Sequence, residues 1–165
     1  MIKLIAAMDK SGLLGYNNTI PWSYLEDMKR FKKLTTNGIL IMGKNTVLSL
    51  PRKLSKRYVI GIAHDNYPLD KADITFNNFS NAVQHALEIQ VNEGKDIWIA
   101  GGGNVYRQAI IENVADELYI TYVPEVEVPD NAYGVVCFPI YMLNGYQVKQ
   151  SIVDGKLVYT TFIKK

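Results

Sequence analysis

The tightest constraint on the fold lies at two places where an apolar run ends in glycine and a helical pattern begins at once: ILIMG-KNTVL, from Ile39, and DIWIAGGG-NVYRQ, from Asp96. An unbroken run of branched apolar residues is what a strand covered on both faces requires, and such strands belong to mostly parallel sheets with helices on either side. The same alternation recurs along the chain. IKLIAA (2–7), RYVIGIA (57–63) and DITF (73–76) read as strands, and YLEDMKRFKKLT (24–35), KNTVLSL (44–50) and GNVYRQAII (103–111) as helices. FSNAVQHALEIQVNEG (79–94) reads as a helix with Ser80 as its N-cap and Gly94 as its stop. The tail carries the strands ELYITYVPEV (117–126), YQVKQSIV (146–153) and LVYTTFIK (157–164), the last two joined at Asp154-Gly155, a hairpin dipeptide. The expected architecture is a single α/β domain over residues 1–165. Its sheet is mixed and mostly parallel, of about eight strands, with an antiparallel C-terminal hairpin and about four flanking helices.

Composition narrows the class. The 165 residues suit one packed core, and a net charge of +2 is too small to point to nucleic acid or an anionic membrane. A single cysteine, Cys137, excludes an internal disulfide. The opening MIKLIAAMDKSG is apolar for only a few residues and lacks a small-residue cleavage site, so it reads as a strand and not as a secretion signal. The expectation is a soluble protein of the reducing cytoplasm, with no nucleic-acid or membrane partner.

One residue breaks its local pattern. On a wheel of about 100° per residue with Tyr24 at zero, Met28 lies at roughly 40°, Phe31 at roughly 340° and Leu34 at roughly 280°. Glu26, Lys29, Arg30 and Lys33 fall on the opposite, solvent side. Asp27, at roughly 300°, sits on the apolar stripe. Two readings are open: a surface carboxylate at the edge of the stripe near Arg30 or Arg57, or an acid in an apolar pocket. In a pocket, burial would raise its pKa, and it would need a partner rich in N–H donors.

The two glycine-to-helix junctions suit phosphate, because free N–H groups and the helix dipole point at whatever lies before a helix. Two in one small sheet suit a dinucleotide. Neither matches a standard motif. GILIMGKN resembles a phosphate loop, but Asn45 stands where a hydroxyl would hold magnesium, and Ile39–Met42 is strand. GGGNVY has Tyr106 at the third glycine position of the Rossmann pattern. The basic loop PRKLSKR (51–57) is either a solvated loop or a grip for an acidic substrate tail. His64 and His85 have no metal-like spacing, and no metal is expected.

Taken together, IAAMDKSGLLGYNNTIPW, the acid five residues after Trp22, ILIMGKNT, IAGGGNVY, LYITYV and Phe138-Pro139 make the chain resemble dihydrofolate reductase from end to end. The resemblance implies NADPH-dependent reduction of 7,8-dihydrofolate to tetrahydrofolate by a monomer. It places Asp27 on the 2-amino group and N3 of the pterin. Thr121 is hydrogen-bonded to that acid, and Trp22 lies under the loop with a water near it. It gives the substrate walls to Ile5, Ala6, Ala7, Met28, Phe31, Leu50, Leu54, Ala100 and Tyr106, and the glutamate tail to Arg57 with Arg52. Ala7, Leu14, Gly15, Tyr16, Asn17, Asn18 and Ile20 would frame the nicotinamide. Gly43, Lys44, Asn45 and Thr46, with Gly101, Gly102, Gly103, Asn104, Val105 and Tyr106, would take the phosphates, with the Gly101-Gly102 bond cis. Ile62, Ala63 and His64 would lie by the adenosine ribose, and Lys44 and His64 would read the 2′-phosphate.

The departures from the family pattern are specific. Asn104 stands where arginine is frequent, Asn45 where a second basic residue is common, Ala100 for a branched residue and Val47 for an aromatic. The stretch Asp130–Phe138 is longer than in common members, and no loop-closing role is assigned to Asp130. The competing functions are a riboflavin-pathway reductase of the same fold, which would lack Asp27 and the Ile-Pro-Trp run, and a low-turnover folate- or dinucleotide-binding protein.

Overall fold

The computed structural model describes residues 1–165. The chain starts in the middle of an eight-stranded sheet, with β1 at Ile2–Met8. The helices and main-sheet strands that follow are α1 (Leu25–Thr35), β3 (Ile39–Gly43), α2 (Lys44–Ser49), β4 (Tyr58–Ile62), β5 (Ile74–Phe76) and α3 (Phe79–Glu93). After them come β6 (Ile97–Ile99), α4 (Gly103–Ile111), β7 (Glu117–Tyr122), β9 (Tyr146–Asp154) and β10 (Leu157–Lys164). The sheet order is β5-β4-β3-β6-β1-β7-β10-β9, parallel throughout except that β10 runs antiparallel to both β7 and β9. The mixed sheet with an antiparallel hairpin edge is therefore as expected. No helix is long and apolar enough to cross a membrane.

Alternate residues of the central strands feed two cores, one on each side of the sheet. Leu4, Ile39, Ile41, Ile97, Ile99, Leu118 and Ile120 pack with Ala82 and Ala86 of α3 and Ala109 of α4. Ile5, Leu40, Met42, Val59 and Trp98 face the other way, against Phe31 and Leu34 of α1. From β1 the chain moves outward one way through β3, β4 and β5, then returns through β6 to β7 on the other side. Ligand clefts in open α/β sheets form where the strand order reverses in this way, beyond the C-terminal strand ends.

Several boundaries differ from expectation. Asn78, not Ser80, caps α3: its side chain accepts from the Asn81 N–H at 2.8 Å, while Ser80 is already in the helix. Gly94 ends that helix in the left-handed region, φ 66°, as expected. β7 stops at Tyr122 and does not run to Val126, because Pro124 has no N–H for a ladder. In the β9–β10 hairpin Asp154 still pairs with Leu157, so the turn is Gly155-Lys156, with Gly155 at φ 60°. Two short strands escaped the sequence reading. β2 (Leu13–Gly15) and β8 (Val136–Cys137) pair antiparallel as a separate ribbon, and a 3₁₀ turn (Ile140–Gly145) follows β8.

Candidate active site

Asp27 lies in the first turn of α1, and Thr121 near the C-terminal end of β7 points at it. The Thr121 hydroxyl donates to Asp27 Oδ1 at 2.6 Å. Burial pushes the Asp27 carboxyl above the usual range, opposed by that hydrogen bond and by the Arg30 charge. Thr121 is itself buried. The acid is thus a half-buried carboxylate already held by one donor, which decides against an edge carboxylate free in solvent.

The apolar residues expected as walls fall into two groups. Ile5, Phe31, Leu50, Leu54 and Ala100 pack in one cluster on the α1 side of the sheet. Ala6 and Tyr106 do not join them, because their side chains belong to the core on the opposite face. The Tyr106 hydroxyl donates to the Ile5 carbonyl at 2.7 Å, so Tyr106 supports the cleft floor from behind. Met28 is 60% exposed and Ile20 65%, which places both at the rim and not in the packed stripe. Trp22 and Ala7 are half-buried. Arg57 is fixed: its Nε–H donates to Ser55 O at 2.9 Å and Nη1 reaches Thr35 Oγ1 at 3.5 Å, while burial lowers its guanidinium pKa. Arg52 is exposed.

Arg30 departs from expectation. Its guanidinium carbon lies 4.5 Å from the Tyr159 ring centre and 5.9 Å from that of Tyr119. On the wheel it falls at roughly 240°, only about 40° from Leu34, and its long stem carries the head group back over the sheet.

The loop after β2 is a tight hairpin. Tyr16 and Thr19 bridge, and Asn17 and Asn18 between them take φ 52° and 58°. Two consecutive left-handed residues are the signature of a type I′ turn, for which Asn is well suited. A Cβ on Gly15 would lie 2.4 Å from the Thr19 carbonyl oxygen, so this turn needs glycine there. The long Asp130–Phe138 stretch lies against the turn: Asn17 N donates to Tyr133 O at 2.7 Å, and Tyr133 N donates to Asn17 Oδ1 at 2.9 Å. Asp9 anchors the base of the loop. It is 1% exposed, and its carboxylate accepts from Ser11 N, Ser11 Oγ, Leu13 N and Val126 N. Burial would raise its pKa, but those donors outweigh burial and hold it below the ordinary value. The Asp-x-Ser-Gly run was a legible Asx-turn signal for this role.

At the far side, Gly43 N donates to Gly101 O at 2.8 Å, joining the two glycine junctions, and the Gly101-Gly102 bond is cis as expected. Cβ atoms on Gly43 and Gly102 would lie 3.2 Å from Val105 Cγ2 and Thr46 Oγ1, so side chains there would crowd their own neighbours. Ile62, Ala63 and Val105 are core residues; Asn45, Asn104 and His64 are exposed. Lys44 forms an ion pair with Asp65 Oδ2 at 2.7 Å, and its ammonium lies 4.4 Å from the Tyr67 ring centre. That hydrogen bond from Lys44 keeps the Asp65 carboxyl low. His64 Nδ1 donates to the Asn77 carbonyl at 2.8 Å.

The dihydrofolate reductase family model matches residues 1–162. The chain belongs to the dihydrofolate reductase family. It is 32% identical over 163 residues to dihydrofolate reductase of Buchnera aphidicola subsp. Baizongia pistaciae, covering 98% of this chain and 92% of that one. It is 34% identical over 124 residues to dihydrofolate reductase of Mycoplasma genitalium, covering 74% and 76%. It is 35% identical over 128 residues to dihydrofolate reductase type 9 of Escherichia coli, covering 74% and 70%. Within this member of the family, Arg30, Asp9 and the Lys44–Asp65 pair are the features that pattern reading did not supply.

Proposed function

We infer that this member of the dihydrofolate reductase family reduces 7,8-dihydrofolate to tetrahydrofolate with NADPH, and that Asp27 is the acid at the reacting end. The observation that carries the reading is the Asp27–Thr121 contact at 2.6 Å, with Asp27 one helical turn before Phe31 of the apolar cluster that also holds Ile5, Leu50, Leu54 and Ala100. A carboxylate with one oxygen held by a hydroxyl keeps acceptor capacity for an adjacent pair of N–H donors, which is the edge a 2-aminopterin presents.

The chain's own residues supply position and field. Thr121 fixes the Asp27 rotamer. Asp27 binds the amino edge of the pterin, and its negative charge favours a proton at N5, on the far side of the ring, by way of a water. Arg57, locked to Ser55 and Thr35, takes the α-carboxylate of the glutamate tail, and Arg52 supports it from solvent. The Leu14–Tyr24 loop, pinned through Asn17 to Tyr133, excludes water over the reacting faces. Bound NADPH supplies the hydride that C6 of the pterin accepts. The glycine junctions at Gly43 and at Gly101-Gly102 suit a pyrophosphate, because α2 and α4 begin there and the first N–H groups of a helix have no partner within it. Lys44 would meet the 2′-phosphate after leaving Asp65, with His64 beside it.

The riboflavin-pathway alternative is disfavoured by the Asp27–Thr121 pair, which that chemistry does not call for. Mixing the purified protein with NADPH and dihydrofolate, and following the loss of reduced-nicotinamide absorbance, tests the reading. Turnover with dihydrofolate supports it. Tight folate binding without turnover leaves a binding protein, and turnover with a pyrimidine substrate in place of folate overturns it.

A further inference from the structure

A second charge lies beside Asp27 that the reaction as described does not use. Among the basic residues of α1, Lys29, Lys32 and Lys33 are exposed, whereas Arg30 is half-buried. Its position follows from matched spacings. Asp27 and Arg30 are three residues apart on a helix, which sets their Cβ atoms about 5–6 Å apart. Thr121 and Tyr119 are two apart on β7 and share a face, and Tyr159 of β10 lies opposite Thr121 in register. With Asp27 seated on Thr121, the next step along the helix seats Arg30 on Tyr119 and Tyr159.

Arg30 is not neutralised there. None of the ion pairs in the molecule uses it, and its Nη1 is buried with no hydrogen-bond partner. Ring faces hold a guanidinium by attraction to the π-cloud without cancelling its charge. The guanidinium is protonated throughout the working pH range.

We propose that Arg30 is a positioning residue of this reductase: held on the rings of Tyr119 and Tyr159, its fixed positive charge sets the pH range over which Asp27 stays ionised and, acting against the Asp27 charge, the ease with which a pterin bound to that acid takes up its proton. The proposal rests on Asp27 being the pterin-binding acid.

The other groups facing this region leave Arg30 as the cation that matters. On α1, Glu26 is exposed. From β7 come the Thr121 hydroxyl and Tyr119, whose phenol burial holds at about 12 and which is therefore neutral at working pH. From β10 comes Tyr159, raised by burial and then by Asp154. From α4 comes the Tyr106 hydroxyl, raised by burial and then by Asp27 itself. Lys3 stands 5.9 Å from the Tyr119 ring centre but is tied to Asp96 at 3.1 Å, and Glu117 is tied to Lys149 and the Tyr119 hydroxyl.

The direction of the effect follows from charge alone. Removing a cation favours the protonated form of every nearby group, so both the Asp27 carboxyl and the N5 proton of bound substrate should titrate at higher pH. The test is a pair of titrations on Arg30→Met, which keeps the apolar stem, and Arg30→Lys, which keeps the charge. Arg30→Gln serves as a second neutral variant should the methionine form misfold. The first readout is the ¹³C chemical shift of the Asp27 carboxyl in ligand-free protein. The second is the pH profile of single-turnover hydride transfer from NADPH to dihydrofolate. The expected result is an upward shift of about half to one pH unit in both readouts for the neutral variants, with Arg30→Lys near the parent. A structural role alone would lower stability without moving either titration. An unmoved carboxyl titration in a folded neutral variant overturns the proposal. A carboxyl that moves while the hydride-transfer profile does not would overturn the assignment of Asp27 to the reacting end, and the proposal with it.

Discussion

Asp27 and Lys44 are both charges that a ligand must meet, yet the chain prepares them in opposite ways. Asp27 is half-buried and gripped by a buried threonine. Lys44 lies on the surface, paired with a 59% exposed carboxylate at 2.7 Å and resting on an exposed tyrosine. The acid end is held by its own neighbours before any ligand arrives. The lysine end is satisfied by its own neighbours, so an incoming phosphate must compete with Asp65 for it. A fixed charge inside a low-dielectric wall serves chemistry, since it needs no rearrangement when charge develops. An exposed, exchangeable pair contributes little energy and is screened by salt, which suits a modest choice between cofactors.

If the acid end is the prepared one, the largest loss comes there. Asp27→Asn should fold and lose about 100- to 1,000-fold in kcat at pH 7, the usual scale for removing one preorganised electrostatic group. Steady-state assays with NADPH and dihydrofolate check this, and a variant as active as the parent would break the contrast. Next in size is Arg57→Ala, which should weaken folate binding by about 10- to 100-fold through loss of a charge-assisted contact. Its single-turnover hydride rate should change little, because the contact is made equally in ground and transition states. Fluorescence titration and stopped flow separate the two effects.

The lysine end gives smaller changes that run in both directions. Lys44→Ala should cut the ratio of kcat/KM for NADPH over NADH by about tenfold. Asp65→Asn should raise the same ratio by about three- to tenfold, because the lysine no longer has a competing partner and the phosphate no longer meets a like charge. Both effects should shrink in high salt. A ratio unchanged in Asp65→Asn would mean that the surface pair does not stand in the phosphate's way.

The smallest effect is on stability. Burial raises the Asp27 carboxyl, so the folded protein holds a proton that the unfolded chain releases. Stability is therefore lost as pH rises through the window between the ordinary value, 3.8, and the raised one. Above that window the ionised acid is a cost that asparagine avoids. Ligand-free Asp27→Asn should melt about 1–3 °C above the parent at pH 7, and level with it or below at pH 3.5.

The parts of the molecule that were legible in the sequence are those where burial repeats. Strands such as Ile39–Gly43 and Tyr58–Ile62 are covered on both faces and show as apolar runs. The Asp27 anomaly was visible because a helix has a fixed period. The β2–β8 ribbon was not, since its two short strands lie outside the main sheet and pair segments far apart in the chain, Leu13 with Cys137. Arg30 was misplaced because the wheel locates a Cβ and not the end of a long flexible stem. The Lys44–Asp65 pair joins residues 21 apart across two strand ends, and no local pattern reports it. Asp9 alone was both readable and overlooked.

The central claim is that the Asp27 carboxylate acts by favouring a proton on the bound substrate. The most direct measurement is the pH dependence of single-turnover hydride transfer in Asp27→Asn beside the parent, at saturating NADPH and dihydrofolate, from pH 8 to pH 4.5. The account predicts a gap that is widest at high pH and narrows steadily as pH falls, since acid protonates the substrate without help from the protein. A gap that stays constant across the range would contradict it, and would leave Asp27 with substrate binding alone.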